Sequence, residues 1–144
     1  LVLKKLLAAT PILLVALVGP VQSSDTSYQL IAHPSVAGTA VPRDVVAGIF
    51  LKKVQRWADG QSIEPVDLTA TSGVRESFSE SVLGMPVAGV RVYWMDRMSK
   101  GLWPPRTKEN DTDVIDYVAS RPGGIGYVAA GTPLPPSVKV LKVL

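Results

Sequence analysis

The residues best suited to chemistry lie between Val66 and Phe78, where a β-forming run, the hydroxyl-rich loop Thr69-Ala70-Thr71-Ser72 and the start of a helical pattern follow one another. The first backbone N–H groups of a helix have no acceptors inside it and sit at the positive end of its dipole, so an oxyanion there can collect hydrogen bonds. Gly73 allows close approach to the main chain, and Thr71 and Ser72 offer hydroxyl donors. Arg75, in the first turn, supplies a charged planar donor if its side chain curls back. Thr71, Ser72, Gly73 and Arg75 are therefore the candidate ligand-binding residues. The same pattern also suits an ordinary helix start, with Thr71 or Ser72 as N-cap, Gly73 as a packing convenience and Arg75 solvated.

Other reactive groups are sparse. His33 is the one histidine, followed by Pro34 and Ser35, and no ligand-spaced carboxylates surround it, so a turn histidine is expected rather than a metal ligand. Asp111, Asp113 and Asp116 fall at a capped helix start and lack the glycine pattern of a calcium loop. The chain has no cysteine, which removes thiolate chemistry, cysteine metal sites, disulfides and a lipid-modified cysteine. No nucleophile stands beside a base, so the reading is a binding protein, not an enzyme, with no cofactor and no metal. Trp94 belongs to an apolar helical stripe, and packing is also the expectation for Trp57 and Trp103.

Residues 1–23 carry Lys4 and Lys5, then a mostly apolar stretch from Leu6 to Val18, then compact residues to Ser23, the pattern of a cleavable signal peptide. Pro11, Gly19 and Pro20 interrupt the run, which is too short for a retained membrane span. Export to the periplasm follows, with no membrane span left after cleavage and one domain over 24–144. The net charge of +3 falls to +1 once Lys4 and Lys5 leave, so no nucleic-acid footprint is implied.

The elements that must hold the loop alternate in type. Tyr28–Ala32 is rich in β-formers and stops at His33-Pro34. Pro42 suits a first helical turn, and Val45, Val46, Ile49, Phe50 and Val54 recur at three- and four-residue spacing. Ile63–Leu68 reads as a strand that Pro65 moves toward an edge. In the next helix Val74, Phe78, Val82 and Leu83 take the buried face, Arg75, Glu76, Ser79 and Glu80 take the others, and Gly84 is the stop. A helix over Pro86–Met98 turns Val90, Tyr93, Trp94 and Met98 inward and closes at Gly101, and Trp103-Pro104-Pro105 is a connection. Asn110 caps a helix with Val114, Ile115 and Val118 buried, and Pro122-Gly123-Gly124 ends it. Ile125–Ala129 and Val138–Leu144 are the last strands. The fold class is α/β, a small mixed or parallel sheet flanked by helices.

Several stretches carry a resemblance in order: Ile49 to Trp57 followed by Asp59-Gly60, the Ser72-Gly73 loop with Phe78, Val82-Leu83-Gly84 before Tyr93-Trp94, Gly101 with Pro104-Pro105, and Pro122 to Val128. Together they resemble phosphate-type ABC-transporter periplasmic solute-binding proteins. The resemblance implies a single lobe of a type II periplasmic binding protein, inorganic phosphate or a similar oxyanion as ligand, and an ABC permease as partner. It also implies that Ser72 and Gly73 belong to a serine-glycine-threonine loop facing the anion. Val74 stands where that family has threonine, and Leu68 where it has an arginine four residues before the serine; Arg75 could compensate from another direction. The other lobe, which completes the ligand shell in that family, does not fit in the mature length. The alternative is an envelope interaction or regulatory protein that keeps the lobe fold without binding phosphate.

Overall fold

The computed structural model describes residues 28–144, so the expected signal peptide lies outside the described residues. The chain runs β1 (Tyr28–Ala32), β2 (Ala40–Val41), α1 (Arg43–Phe50), β3 (Glu64–Leu68), α2 (Gly73–Phe78), a π-helical turn (Ser79–Leu83), α3 (Val87–Met98), β4 (Arg106–Lys108), α4 (Asp111–Ser120), β5 (Gly124–Ala129) and β6 (Lys139–Val143). The strands form one six-stranded mixed sheet in the order β2-β6-β1-β5-β3-β4. β1 pairs antiparallel with both β5 and β6, with Leu30 opposite Tyr127 on one side and Leu141 on the other. β3 runs parallel to β5 and β4, and β2 parallel to β6.

Side chains of a strand alternate between the two faces of a sheet, and β5 uses the alternation to hold different layers. Gly126 turns toward α4: a Cβ on it would lie 2.7 Å from Val66 Cγ1 and 2.9 Å from Val114 Cγ1, so the missing side chain lets α4 sit close. Tyr127 turns the other way, into an aromatic cluster beneath α1 and α2. Its ring stacks on Phe78 at 3.9 Å, and Phe78 takes Phe50 and Tyr28 edge-on at 4.8 and 5.3 Å. Such pairs add about 0.5–1.5 kcal/mol each beyond area burial.

Local signals account for the ends of the helices. Asn110 Oδ1 accepts the Asp113 amide at 2.9 Å and starts α4. Gly84, at φ 68°, stops the helix that begins at Gly73. α1 ends with the Lys53 amide on the Gly48 carbonyl at 2.8 Å and the Lys52 amide on the Ile49 carbonyl at 3.0 Å, the Schellman pattern. Lys52 occupies the left-handed position of that motif, with φ 56° where glycine is the unstrained residue.

Three expectations are corrected. β4 forms directly after Trp103-Pro104-Pro105 and β2 precedes α1, neither of them foreseen, because a strand of three or two residues is too short to display a period. Pro65 lies within the sheet rather than on an edge strand, yet β4 pairs only from Val66 onward, so at Pro65 itself the outer side of β3 carries no ladder bond to lose. On the helix after the loop the buried residues are Arg75, Phe78, Ser79 and Val82, so Arg75 and Ser79 point inward instead of outward. Val74 is only partly buried against the core.

The Pro122-Gly123-Gly124 turn has the least freedom. Gly123 has φ 79°, and a Cβ on it would overlap the Ser62 carbonyl oxygen, which no side-chain rotation can relieve. Gly123→Ala is expected to lower stability by more than about 2 kcal/mol, seen as a drop in the urea midpoint, whereas Gly131→Ala, at φ 82° with open space around it, should cost about 1 kcal/mol.

Candidate functional site

The loop between β3 and α2 is held at both ends. The Thr69 amide donates to the Lys108 carbonyl of β4 at 3.0 Å, and the Ser72 amide closes a tight turn on the Thr69 carbonyl at 3.0 Å. Ser72 is the N-cap of α2: its Oγ accepts the Arg75 amide at 3.3 Å, and its carbonyl accepts the Glu76 amide at 3.1 Å. The amides of Gly73 and Val74 donate to no acceptor among the described residues. Gly73 is exposed, and a Cβ on it would meet no atom within 4 Å. Packing therefore does not explain this glycine, and the amide end of α2 stands open to solvent.

Arg75 does curl back, toward the end of β3. Its Nη1 donates to the Leu68 carbonyl at 2.7 Å and meets Asp67 Oδ2 at 3.0 Å, while Nε donates to Ser79 Oγ at 3.4 Å. The buried Ser79 thus serves the guanidinium. Asp67 Oδ1 accepts the Leu68 amide at 2.9 Å and the hydroxyl of Tyr127. Burial pushes the Asp67 carboxyl above its ordinary range, and the Arg75 charge, the Tyr127 hydroxyl and the Leu68 amide pull against that shift. Tyr127 is raised far above the usual phenol range by burial and by the Asp67 charge, so it remains a hydrogen-bond donor to the carboxylate.

Asp67, Thr69, Ala70 and Arg75 also line a concavity of about 580 Å³ whose other walls include Arg91 and Trp94. Of the four residues singled out in the sequence, Arg75 faces this concavity; Thr71, Ser72 and Gly73 lie outside its walls, on the open amide end. Asp67 and Tyr127 were missed as parts of the site. The signal for Asp67 was present, since an aspartate inside an apolar strand run needs a partner once buried. Tyr127 gave none.

The lone histidine sits in the turn expected of it, with Nδ1 on Ser35 Oγ at 2.8 Å. No group of three or more potential metal ligands occurs among the described residues, and none of the described helices is long and apolar enough to cross a membrane. Trp94 is buried, and Trp57 packs on the core with its indole N–H on the Gly123 carbonyl at 3.1 Å. Trp103, expected to pack, is 64% exposed.

Solved structures share the fold. An ABC-type phosphate transport receptor from Vibrio cholerae aligns with a TM-score of 0.62 at 19% identity, over 80% of this chain and 45% of the receptor. PstS from Borrelia burgdorferi aligns with a TM-score of 0.63 at 16% identity, over 81% of this chain and 47% of that one. The chain has the fold of one lobe of these receptors. A structure from Clostridium perfringens solved with phosphate bound gives the same lobe match, with a TM-score of 0.64 at 19% identity over 81% of this chain and 44% of that one. The chain thus spans less than half the length of these structures. No family model and no curated protein matches the sequence.

Within this receptor-lobe fold, the buried pair sets how α2 leaves the sheet. Removing one partner of a buried pair leaves the other charge uncompensated, at about 3–5 kcal/mol. Asp67→Asn and Arg75→Leu should each lower stability by about that amount in urea denaturation, and the double variant should lose less than the sum of the two.

Proposed function

We propose that the protein is an exported oxyanion-binding receptor lobe that presents phosphate or a similar anion to an ABC permease. The observation that carries this reading is the open amide end of α2, with Gly73 and Val74 unpaired, at the loop of a fold shared with phosphate receptors. Thr71 and Ser72 supply hydroxyl donors beside those amides. The Arg75 guanidinium reaches the Leu68 carbonyl, at the position where the resemblance implies an arginine, with its charge paired to Asp67. Signal-directed export to the periplasm fits the charged and apolar leader.

The geometry also limits affinity. Asp67 neutralises Arg75, and an open loop leaves a bound anion screened by water and salt. Binding by this lobe alone is weak, with a Kd on the order of millimolar.

One feature favours the second reading, an envelope interaction protein. On α3 Val92 is 66% and Met95 59% exposed, one turn apart on the same side, as suits contact with another protein.

Calorimetric titration of the purified protein with inorganic phosphate separates the two. Saturable heat that disappears in Ser72→Asp is the expected result. Aspartate caps a helix as well as serine, so this variant keeps its fold while placing a negative charge at the amide end. No heat at millimolar phosphate would leave the interaction reading in place.

A further inference from the structure

A second concavity, of about 630 Å³, opens near the start of β3 and gathers positive charge that the oxyanion reading does not use. Lys52, Arg56 and Arg106 line it with Trp103, Tyr117 and a single carboxylate, Glu64. None of the three cations forms an ion pair among the described residues. Arg56 is steadied by its Nη1 on the Gly60 carbonyl at 2.9 Å. The volume lies within the range of small-molecule sites, about 300–1,000 Å³.

Two details separate this concavity from an ordinary solvated face. Lys52 is the one non-glycine residue with positive φ among the described residues, at the Schellman position where glycine would sit without strain. Lys52 lines the concavity, so the strained position sets a cationic residue at its wall. Trp103 is the largest exposed aromatic surface on the described chain, and it is held on the same wall by Pro104-Pro105 and the edge strand β4. An exposed indole costs hydrophobic free energy unless something stacks on it.

We propose that this concavity binds a small organic anion with a planar ring, the ring against Trp103 and the anionic group between Lys52, Arg56 and Arg106. With Glu64 counted, the lining carries two net positive charges, which fits a dianion better than a monoanion. Ring and charge must belong to one molecule, because at this exposure neither contact alone outweighs the cost of association.

Phenyl phosphate is the probe, and nuclear magnetic resonance of the purified full chain is the measurement. Saturable shifts of the Trp103 indole N–H are expected, with inorganic phosphate producing much smaller ones at that signal. Lys52→Gly and Arg106→Gln should each weaken phenyl phosphate binding about tenfold. Lys52→Gly should hold or raise the urea midpoint, since it relieves backbone strain, so lost binding with retained stability cannot be a folding defect. An unmoved Trp103 signal, or affinity unchanged in both variants, overturns the proposal. Shifts confined to Gly73 and Val74 overturn it too, while leaving the oxyanion loop standing.

Discussion

The buried pairing of Asp67 with Arg75 is the constraint on which the rest of the loop depends. Taking both charges out of water is costly, and the structure offsets the cost with several further polar contacts: Tyr127 and the Leu68 amide on the carboxylate, the Leu68 carbonyl and Ser79 on the guanidinium. All but the Asp67–Leu68 contact also join two elements. Asp67 and Leu68 belong to β3, Tyr127 to β5, Arg75 to α2 and Ser79 to the π-helical turn. The pair therefore fixes the angle at which the chain leaves the sheet, and the Phe78–Tyr127 stack seals it from the side. With α2 pinned from within, Ser72 satisfies one amide of the first turn and those of Gly73 and Val74 are left facing out.

Much of this was legible in the residues. β-formers bounded by turn residues mark β1 and β5, and the spacing of Val45, Val46, Ile49 and Phe50 marks α1. Asn110 and Gly84 mark a start and a stop that the chain uses. What escaped has physical causes. Arg-Thr-Lys in β4 has exposed or half-buried side chains on both faces, so no apolar alternation announces it. Arg75 was assigned to water because arginine is seldom buried without a partner, and the partner lies in a different element, where helical periodicity cannot reveal it. Ser79 lies four residues after Arg75 on the same helical face, so it turns inward with the guanidinium it serves.

The two concavities share a wall, since Pro104 and Pro105 line both. Their electrostatics differ. On the loop side Asp67 cancels Arg75 and leaves Arg91 as the cation without an ion pair in that lining. On the other side Glu64 offsets one cation of three. The two proposed sites would meet anions by different means, main-chain amides beside the first concavity and side-chain charges beside an indole in the second. Both are open to solvent, so salt weakens both.

The central claim is that the main-chain hydrogens of Gly73 and Val74, unpaired among the described residues, meet an anion. Amide-resolved nuclear magnetic resonance during titration with inorganic phosphate tests it most directly. The account requires the Gly73 and Val74 N–H signals to move downfield together along one saturable curve, with the Arg75 amide, already held by Ser72, moving least of the three. Signals of Gly73 and Val74 that stay fixed while others in the protein saturate would contradict it.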